Sequence, residues 1–260
     1  MRVFSVFGVS KSGKTTTIEH LIRELRRRGY AVGSVKDIHA EGFALDTPGT
    51  NTHRHKRAGA DPVTARGLHE TDIMFDRRLD IGEILRFYGG CDFVVLEGVS
   101  EAGIPAVLTA HDGGDLAERL TPYVFAVSGR GAAGIGEYNG IPAISAVDAA
   151  ADLADLVERK VYRRQPMNIK DCCGLCGFDC ETLGRRMLAG ESPPDACLLE
   201  KRVALTVNGR EIEMVGFVQK LLKNAVLGVA KELRGYEKGQ IRVTFTDTDT
   251  DFIDTGETGE

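Results

Sequence analysis

Hydrophobic and polar positions follow two alternating periods along most of the chain. Arg2–Phe7 alternates and then runs apolar, the pattern of a buried strand, and Ile18, Leu21, Ile22 and Leu25 follow at i, i+3, i+4 and i+7, the stripe of a helix that stops at Gly29. The same reading places strands at Ala31–Lys36, Ala60–Arg66, Thr71–Phe75, Asp92–Leu96, Ile104–Thr109, Tyr123–Ser128 and Ala143–Ser145. Helical patterns lie near Gly49–Ala58, Ile81–Tyr88, Gly114–Leu120 and Asp148–Arg163. Strands alternating with helices predict an α/β fold, a mostly parallel sheet with helices on both faces.

The pattern changes after Arg164-Gln165-Pro166, where a cysteine-rich stretch begins. Val203–Val207, Asn208-Gly209 and Arg210–Met214 read as a β-hairpin, because Asn-Gly suits the tight type I′ turn. Val218, Leu221, Leu222, Ala225 and Val229 then form one apolar helical stripe, and Ile241–Phe245 reads as a last strand. The end, from Thr246, holds six acids and little apolar content and is expected to be disordered. The expected organisation is a first domain over 1–163, a cysteine-rich segment over 164–200, a hairpin, helix and strand over 201–246 that complete a small C-terminal α+β domain, and an acidic tail over 247–260.

Composition narrows the partners. The 260 residues include 33 basic and 38 acidic side chains, a net charge of −5, and 42% are hydrophobic. That balance argues against nucleic acid as the main partner, since phosphate neutralisation needs a clustered basic surface. Arg26-Arg27-Arg28 falls in a last helical turn, where cations face the negative end of the helix dipole. With no apolar run of roughly 18 residues and no signal-peptide pattern, the expectation is a soluble cytoplasmic protein that does not engage a membrane.

Candidate chemistry appears first at Gly8-Val9-Ser10-Lys11-Ser12-Gly13-Lys14-Thr15, a complete G-x-x-x-x-G-K-[ST] match between a predicted strand and a predicted helix. Glycines let the backbone curl so that its N–H groups face phosphates at a helix N-terminus. Lys14 is expected to reach the β- and γ-phosphates and Thr15 to hold Mg²⁺, with Thr16 completing the binding stretch. The fold is therefore expected to be of the P-loop NTPase type. A carboxylate is also needed at the end of a neighbouring strand, and Glu97 closes the run Phe93-Val94-Val95-Leu96. Glu97 is the candidate, beside Lys14, for a catalytic part, orienting Mg²⁺-bound or attacking water. The polar loop from Lys36 to His55 leaves the same sheet edge. Asp46 is a candidate for Mg²⁺, and Lys36, His39 and Arg54 for phosphates or another anion; His53 and His55 read as ordinary surface residues.

The cysteines form the second constellation. Cys172, Cys173, Cys176, Cys180 and Cys197 fall close together, and no histidine follows His111, so any metal there is held by sulfur alone. Cys173, Cys176 and Cys180, with Gly174 and Gly177 between them and a distant Cys197, present three clustered thiolates and one remote one. Structural zinc sites usually pair their cysteines, whereas a [4Fe–4S] cluster commonly takes the three-plus-one arrangement. The ligand set expected is Cys173, Cys176, Cys180 and Cys197, with the iron–sulfur cluster preferred over zinc; Cys172 is an adjacent alternative to Cys173, and Cys91 reads as core.

The phosphate loop, Val35-Lys36-Asp37-Ile38-His39, Asp46-Thr47-Pro48-Gly49, Arg54-His55-Lys56-Arg57-Ala58-Gly59-Ala60 and Leu96-Glu97-Gly98, in this order, resemble the molybdopterin-guanine dinucleotide biosynthesis protein B family over about Met1 to Lys160. Asp37 stands where that family often has histidine. The resemblance implies a GTP-binding accessory protein of weak Mg²⁺-dependent hydrolysis in molybdenum cofactor synthesis. It also implies a guanylyltransferase of that synthesis, or the molybdoenzyme it serves, as partner, and allows a homodimer. The alternative is a nucleotide-switched redox sensor or a factor that matures or delivers a metallocentre.

Overall fold

The computed structural model describes residues 1–100, 103–163, 176–194, 196–197, 203, 205–208, 210–212, 214, 216–237, 241 and 243. The chain divides into two units, Met1–Arg202 and Val203–Glu260. In the first, β1 (Arg2–Gly8) leads through the phosphate loop into α1 (Lys14–Arg27) and β2 (Val32–Lys36). Then come α2 (Asn51–Arg57), β3 (Val63–Arg66), β4 (Thr71–Met74) and α3 (Ile81–Leu85), the last continued by a 3-10 turn at Arg86–Tyr88. They are followed by β5 (Phe93–Glu97), β6 (Ala106–Thr109), α4 (Gly113–Arg119), β7 (Val124–Ser128), the two-residue β8 (Glu137–Tyr138) and β9 (Ile141–Pro142), α5 (Ala150–Lys160) and α6 (Cys180–Ala189). The second unit contains β10 (Leu205–Val207), β11 (Arg210–Ile212) and α7 (Gly216–Ala230).

Among the described residues the main sheet has five strands in the order β2-β5-β1-β6-β7, all pairs parallel. The apolar runs of β1, β5 and β7 are buried from both sides, as a parallel sheet under helices requires. Phe4 and Val6 of β1 pack with Leu21 and Leu25 of α1 and with Leu153, Leu156 and Val157 of α5. On the opposite face Val3 meets Leu85, Val94 and Leu96, and Phe7 meets Leu108, Leu116 and Val127. The chain crosses from one side of β1 to the other between β5 and β6, so a crevice opens at the carboxyl end of β1, where ligands of such sheets bind.

Three local expectations change form. The strands expected around 60–66 and 71–75 are present as β3 and β4, but they pair with each other, antiparallel, outside the main sheet. Only Gly67–Glu70 separates them, closed by Gly67 N–H on Glu70 O at 2.8 Å, and that length makes a hairpin, not a parallel crossover. The expected strand at 143–145 is reduced to one parallel bridge between Val127 and Ala143 beside β7. Two of the three arginines at the end of α1 are in ion pairs: Arg27 and Arg28 share Glu24, and Arg28 also reaches Asp155 and Glu158 of α5, while Arg26 donates to Tyr30 O at 3.2 Å.

α6 is held to the core of the first unit by its own apolar stripe. Leu183, Met187 and Leu188 join the cluster built on β1, α1 and α5. Gly184 lies so close to Tyr162 that a methyl group there would sit 2.5 Å from the phenolic oxygen. The Tyr123 hydroxyl donates to Glu181 O at 3.1 Å and Lys160 Nζ donates to Leu188 O at 2.7 Å, satisfying a carbonyl near the helix end. Asp179 caps the start, accepting from Thr182 N–H, and Gly190 ends the helix in the left-handed conformation at φ 79°. In the second unit, β10 and β11 form the expected hairpin about Asn208 at φ 49°, and α7 covers the predicted helix. Of the expected last strand only Ile241 and Val243 are described, and the acidic tail lies outside the described residues. No helix among the described residues is long and apolar enough to cross a membrane.

Candidate functional site

The phosphate loop is shaped by contacts from strands distant in sequence. Gly8 takes φ 148°, and a Cβ there would lie 1.8 Å from Thr109 O, so close passage against β6 requires glycine. Gly13 starts α1 at φ 104°, with the backbone of Gly129 against the space a side chain would need. The buried Ser12 hydroxyl donates to Val9 O at 2.8 Å and lies 2.7 Å from the Thr109 hydroxyl. Ser12 O accepts from Arg130 N–H at 3.0 Å, and the His111 ring stands 2.9 Å from Ser10 O. The ends of β6 and β7 therefore hold the loop curled around the first turn of α1.

Lys14 folds back onto this loop, donating to Gly8 O at 3.1 Å and Val9 O at 2.6 Å. Burial lowers its pKa; the charge of Glu97 opposes that fall, and Lys36 and Arg119 add to it. One oxygen of Glu97, Oε1, accepts both from the Thr15 hydroxyl at 3.1 Å and from Lys36 Nζ at 3.0 Å. The acid from β5, the loop threonine and the cation from β2 thus meet at one point. Asp37 is gripped by the Arg78 guanidinium at 3.0 and 3.1 Å, with His39 Nε2 3.8 Å from it.

These groups line a cleft of about 1180 Å³ whose walls include Gly8, Ser10, Lys11, Gly13, Lys14, Thr15, Thr16, Lys36, His39 and Glu97. Val9 and Ser12 shape the loop from behind. Asp46 is not among the described lining residues. Its Oδ1 accepts from Thr50 Oγ1 at 2.7 Å, Thr52 Oγ1 at 2.9 Å and Thr47 N–H at 3.0 Å, led by Thr50 in holding the carboxyl below the usual carboxylate range. Its Oδ2 is buried without a hydrogen-bond partner. Asp46 accordingly braces the start of α2, where Thr50 caps His53 N–H. The cleft also includes Arg119, Gly129, Arg130 and Ser145–Asp148, which sequence reading did not mark. Arg130 could have been found from its place just past a strand end; Ser145–Asp148 follows too short a bridge to announce itself.

Cys180 opens α6, and Cys176, in the turn before it, donates from Sγ to Phe178 O at 3.3 Å. Cys197 is 4% exposed and sits in the same apolar cluster against which Cys176 packs. Cys172 and Cys173 lie outside the described residues, and among the described residues no three metal-binding side chains gather. Cys91 packs against the cluster around Val3 and Leu85.

The loop geometry agrees with a family match. The model of the family described as molybdopterin guanine dinucleotide synthesis protein B, MobB, matches residues 3–127. This segment is similar to the MobB family. A protein of Methanocaldococcus jannaschii bearing the name of a molybdopterin-guanine dinucleotide biosynthesis adapter is 29% identical over 245 residues, 91% of this chain and 94% of that protein. A Bacillus subtilis protein of similar name is 28% identical over 153 residues, 57% of this chain and 88% of its own length. The crystal structure of Bacillus subtilis MobB superposes with a TM-score of 0.51 at 26% identity, covering 63% of this chain and 100% of that one. The MobB fold thus accounts for the first part of the chain, and the likeness to the Methanocaldococcus protein runs on beyond it.

Proposed function

We propose that the protein is a GTP-binding adapter in molybdopterin guanine dinucleotide biosynthesis. The observation that carries this reading is the convergence of Lys14, Thr15 and Glu97 at the carboxyl end of β1 in a MobB-like segment. The names of the Methanocaldococcus and Bacillus relatives support the pathway. Lys14 would leave the carbonyls of Gly8 and Val9 for the β- and γ-phosphates, while the loop amides hold the remaining oxygens. Mg²⁺ suits the oxygen donors of Thr15 and Glu97, and when bound it supplies charge neutralisation between those phosphates. Lys36 now shares Glu97, so the same carboxylate has to redistribute its contacts when nucleotide enters. Hydrolysis is slow in this reading, because no glutamine is among the described residues lining the cleft to orient water.

The partner in this reading is the guanylyltransferase of the cofactor pathway or the molybdoenzyme that receives its product. A reconstituted GMP-transfer assay tests it: added protein should raise product yield with GTP and Mg²⁺. No stimulation across a range of protein concentrations would contradict the adapter role.

A second reading concerns the cysteine segment. This reading rests on the spacing of Cys173, Cys176, Cys180 and Cys197 in the sequence, which offers three near thiolates and one remote one; Cys176, Cys180 and Cys197 do not gather at one point among the described residues. A [4Fe–4S] cluster fits three near thiolates and one remote one better than zinc does. Anaerobically purified protein should then carry about four irons per chain. One zinc would keep the ligands and remove the cluster; no metal would remove both. If hydrolysis followed the cluster's oxidation state, the protein would be a nucleotide-switched redox or metallocentre factor instead.

A further inference from the structure

The phosphate loop fixes only the phosphate end of the cleft. Its walls continue from Glu97 and Lys36, past Gly13 and Lys14, to Gly129, Arg130 and Ser145–Asp148. The first end holds the Thr15–Glu97–Lys36 junction, suited to the terminal phosphate and its metal. The nucleoside therefore extends the other way, beyond Gly13. There the chain has placed a second strip of backbone: Ile144 N–H donates to Val127 O at 2.9 Å, extending the sheet edge beyond β7 by one bridge. That bridge delivers Ser145, Ala146, Val147 and Asp148 to the carboxyl edge, beside the Gly129-Arg130 turn that supports Ser12. Ser145 Oγ donates to Asp148 Oδ2 at 2.6 Å, which fixes the exposed carboxylate in the cleft wall. Val147 beside it is 62% exposed, an apolar surface available to a ring.

Resting on the reading of this cleft as a nucleotide site, we propose that Asp148 selects guanine, acting as the base-reading residue of the Ser145–Asp148 strip. A carboxylate only accepts hydrogen bonds, and it has capacity beyond the one from Ser145. Guanine presents two adjacent donors, N1–H and the 2-amino group, which match a carboxylate. Adenine presents a bare N1 acceptor and no 2-amino group, so its lone pair would face the carboxylate oxygens. Discrimination follows from an unpaired polar group on the wrong base, not from shape.

Calorimetric titration with GDP, ADP and xanthosine diphosphate in Mg²⁺ tests this on the full chain and on Asp148→Asn, with Lys14→Ala as control and circular dichroism confirming the fold. The wild-type protein should prefer GDP to ADP. Asp148→Asn should weaken GDP about tenfold or more, the scale of a charged hydrogen bond, and should strengthen ADP, whose N1 acceptor would meet an amide donor in place of a carboxylate. It should strengthen xanthosine diphosphate, whose 2-oxo group can accept from the new amide. Equal wild-type affinity for GDP and ADP, lost in Lys14→Ala, would overturn the base assignment while keeping the nucleotide site. An unchanged GDP to xanthosine diphosphate ratio in Asp148→Asn would do the same. Failure of the wild type to bind any of the three would remove the site and the assignment together.

Discussion

In the phosphate loop, a short local motif is given its shape by distant backbone: Thr109 O lies against Gly8, Gly129 against Gly13, and Arg130 N–H on Ser12 O. In α6 the balance is reversed. Its position is set by an apolar stripe, Leu183, Met187 and Leu188, meeting a core already present. Polar geometry is over-determined in the first region, where chemistry has to be placed to within a hydrogen bond. The second region shows a helix docked mainly by burial, with two hydrogen bonds, from Tyr123 and Lys160, to its backbone carbonyls.

The sharpest way to break the comparison is at Gly8. Gly8→Ala drives a Cβ into the Thr109 carbonyl, and we expect about 4 kcal/mol or more of destabilisation, read from urea denaturation. Next comes Leu183→Ala, which empties part of the contact under α6; about 2–5 kcal/mol should be lost, with α6 amides exchanging faster and nucleotide affinity unchanged. If Leu183→Ala also abolished nucleotide binding, the two regions would not be separable as described. Thr15→Ala and Glu97→Gln should each weaken the Mg²⁺ dependence of nucleotide binding by roughly tenfold, about 1.4 kcal/mol, without altering α6 protection. An unchanged Mg²⁺ titration would remove that residue from the metal site. The smallest effect belongs to Arg27→Ala, whose exposed pairing with Glu24 should contribute under about 1 kcal/mol to thermal stability.

Much of the first region is legible from sequence because strand, loop and helix are consecutive, and Glu97 ends an unbroken apolar run. Asp46 shows where that legibility stops: its spacing suggests a metal ligand, yet Thr47, Thr50 and Thr52, all within six residues of it, claim its Oδ1. The hairpin β3–β4 carries strand-like patterning, and only the four-residue Gly67–Glu70 separation shows that it cannot join a parallel sheet. Asp148 enters the cleft through the long-range bridge beside β7, which no local period encodes. For α6, the cysteine spacing drew attention away from the stripe Leu183–Met187–Leu188, although i, i+4 and i+5 positions were there to be read.

The central claim is that the Lys14 loop binds nucleotide phosphates, and titration of wild type and Lys14→Ala with a fluorescent GTP analogue in Mg²⁺ addresses it directly. Loss of an ammonium with phosphates as its partner should cost about 1.5–3 kcal/mol, a weakening of roughly 10- to 150-fold, with unchanged circular dichroism. Equal affinity in the two proteins would contradict the account.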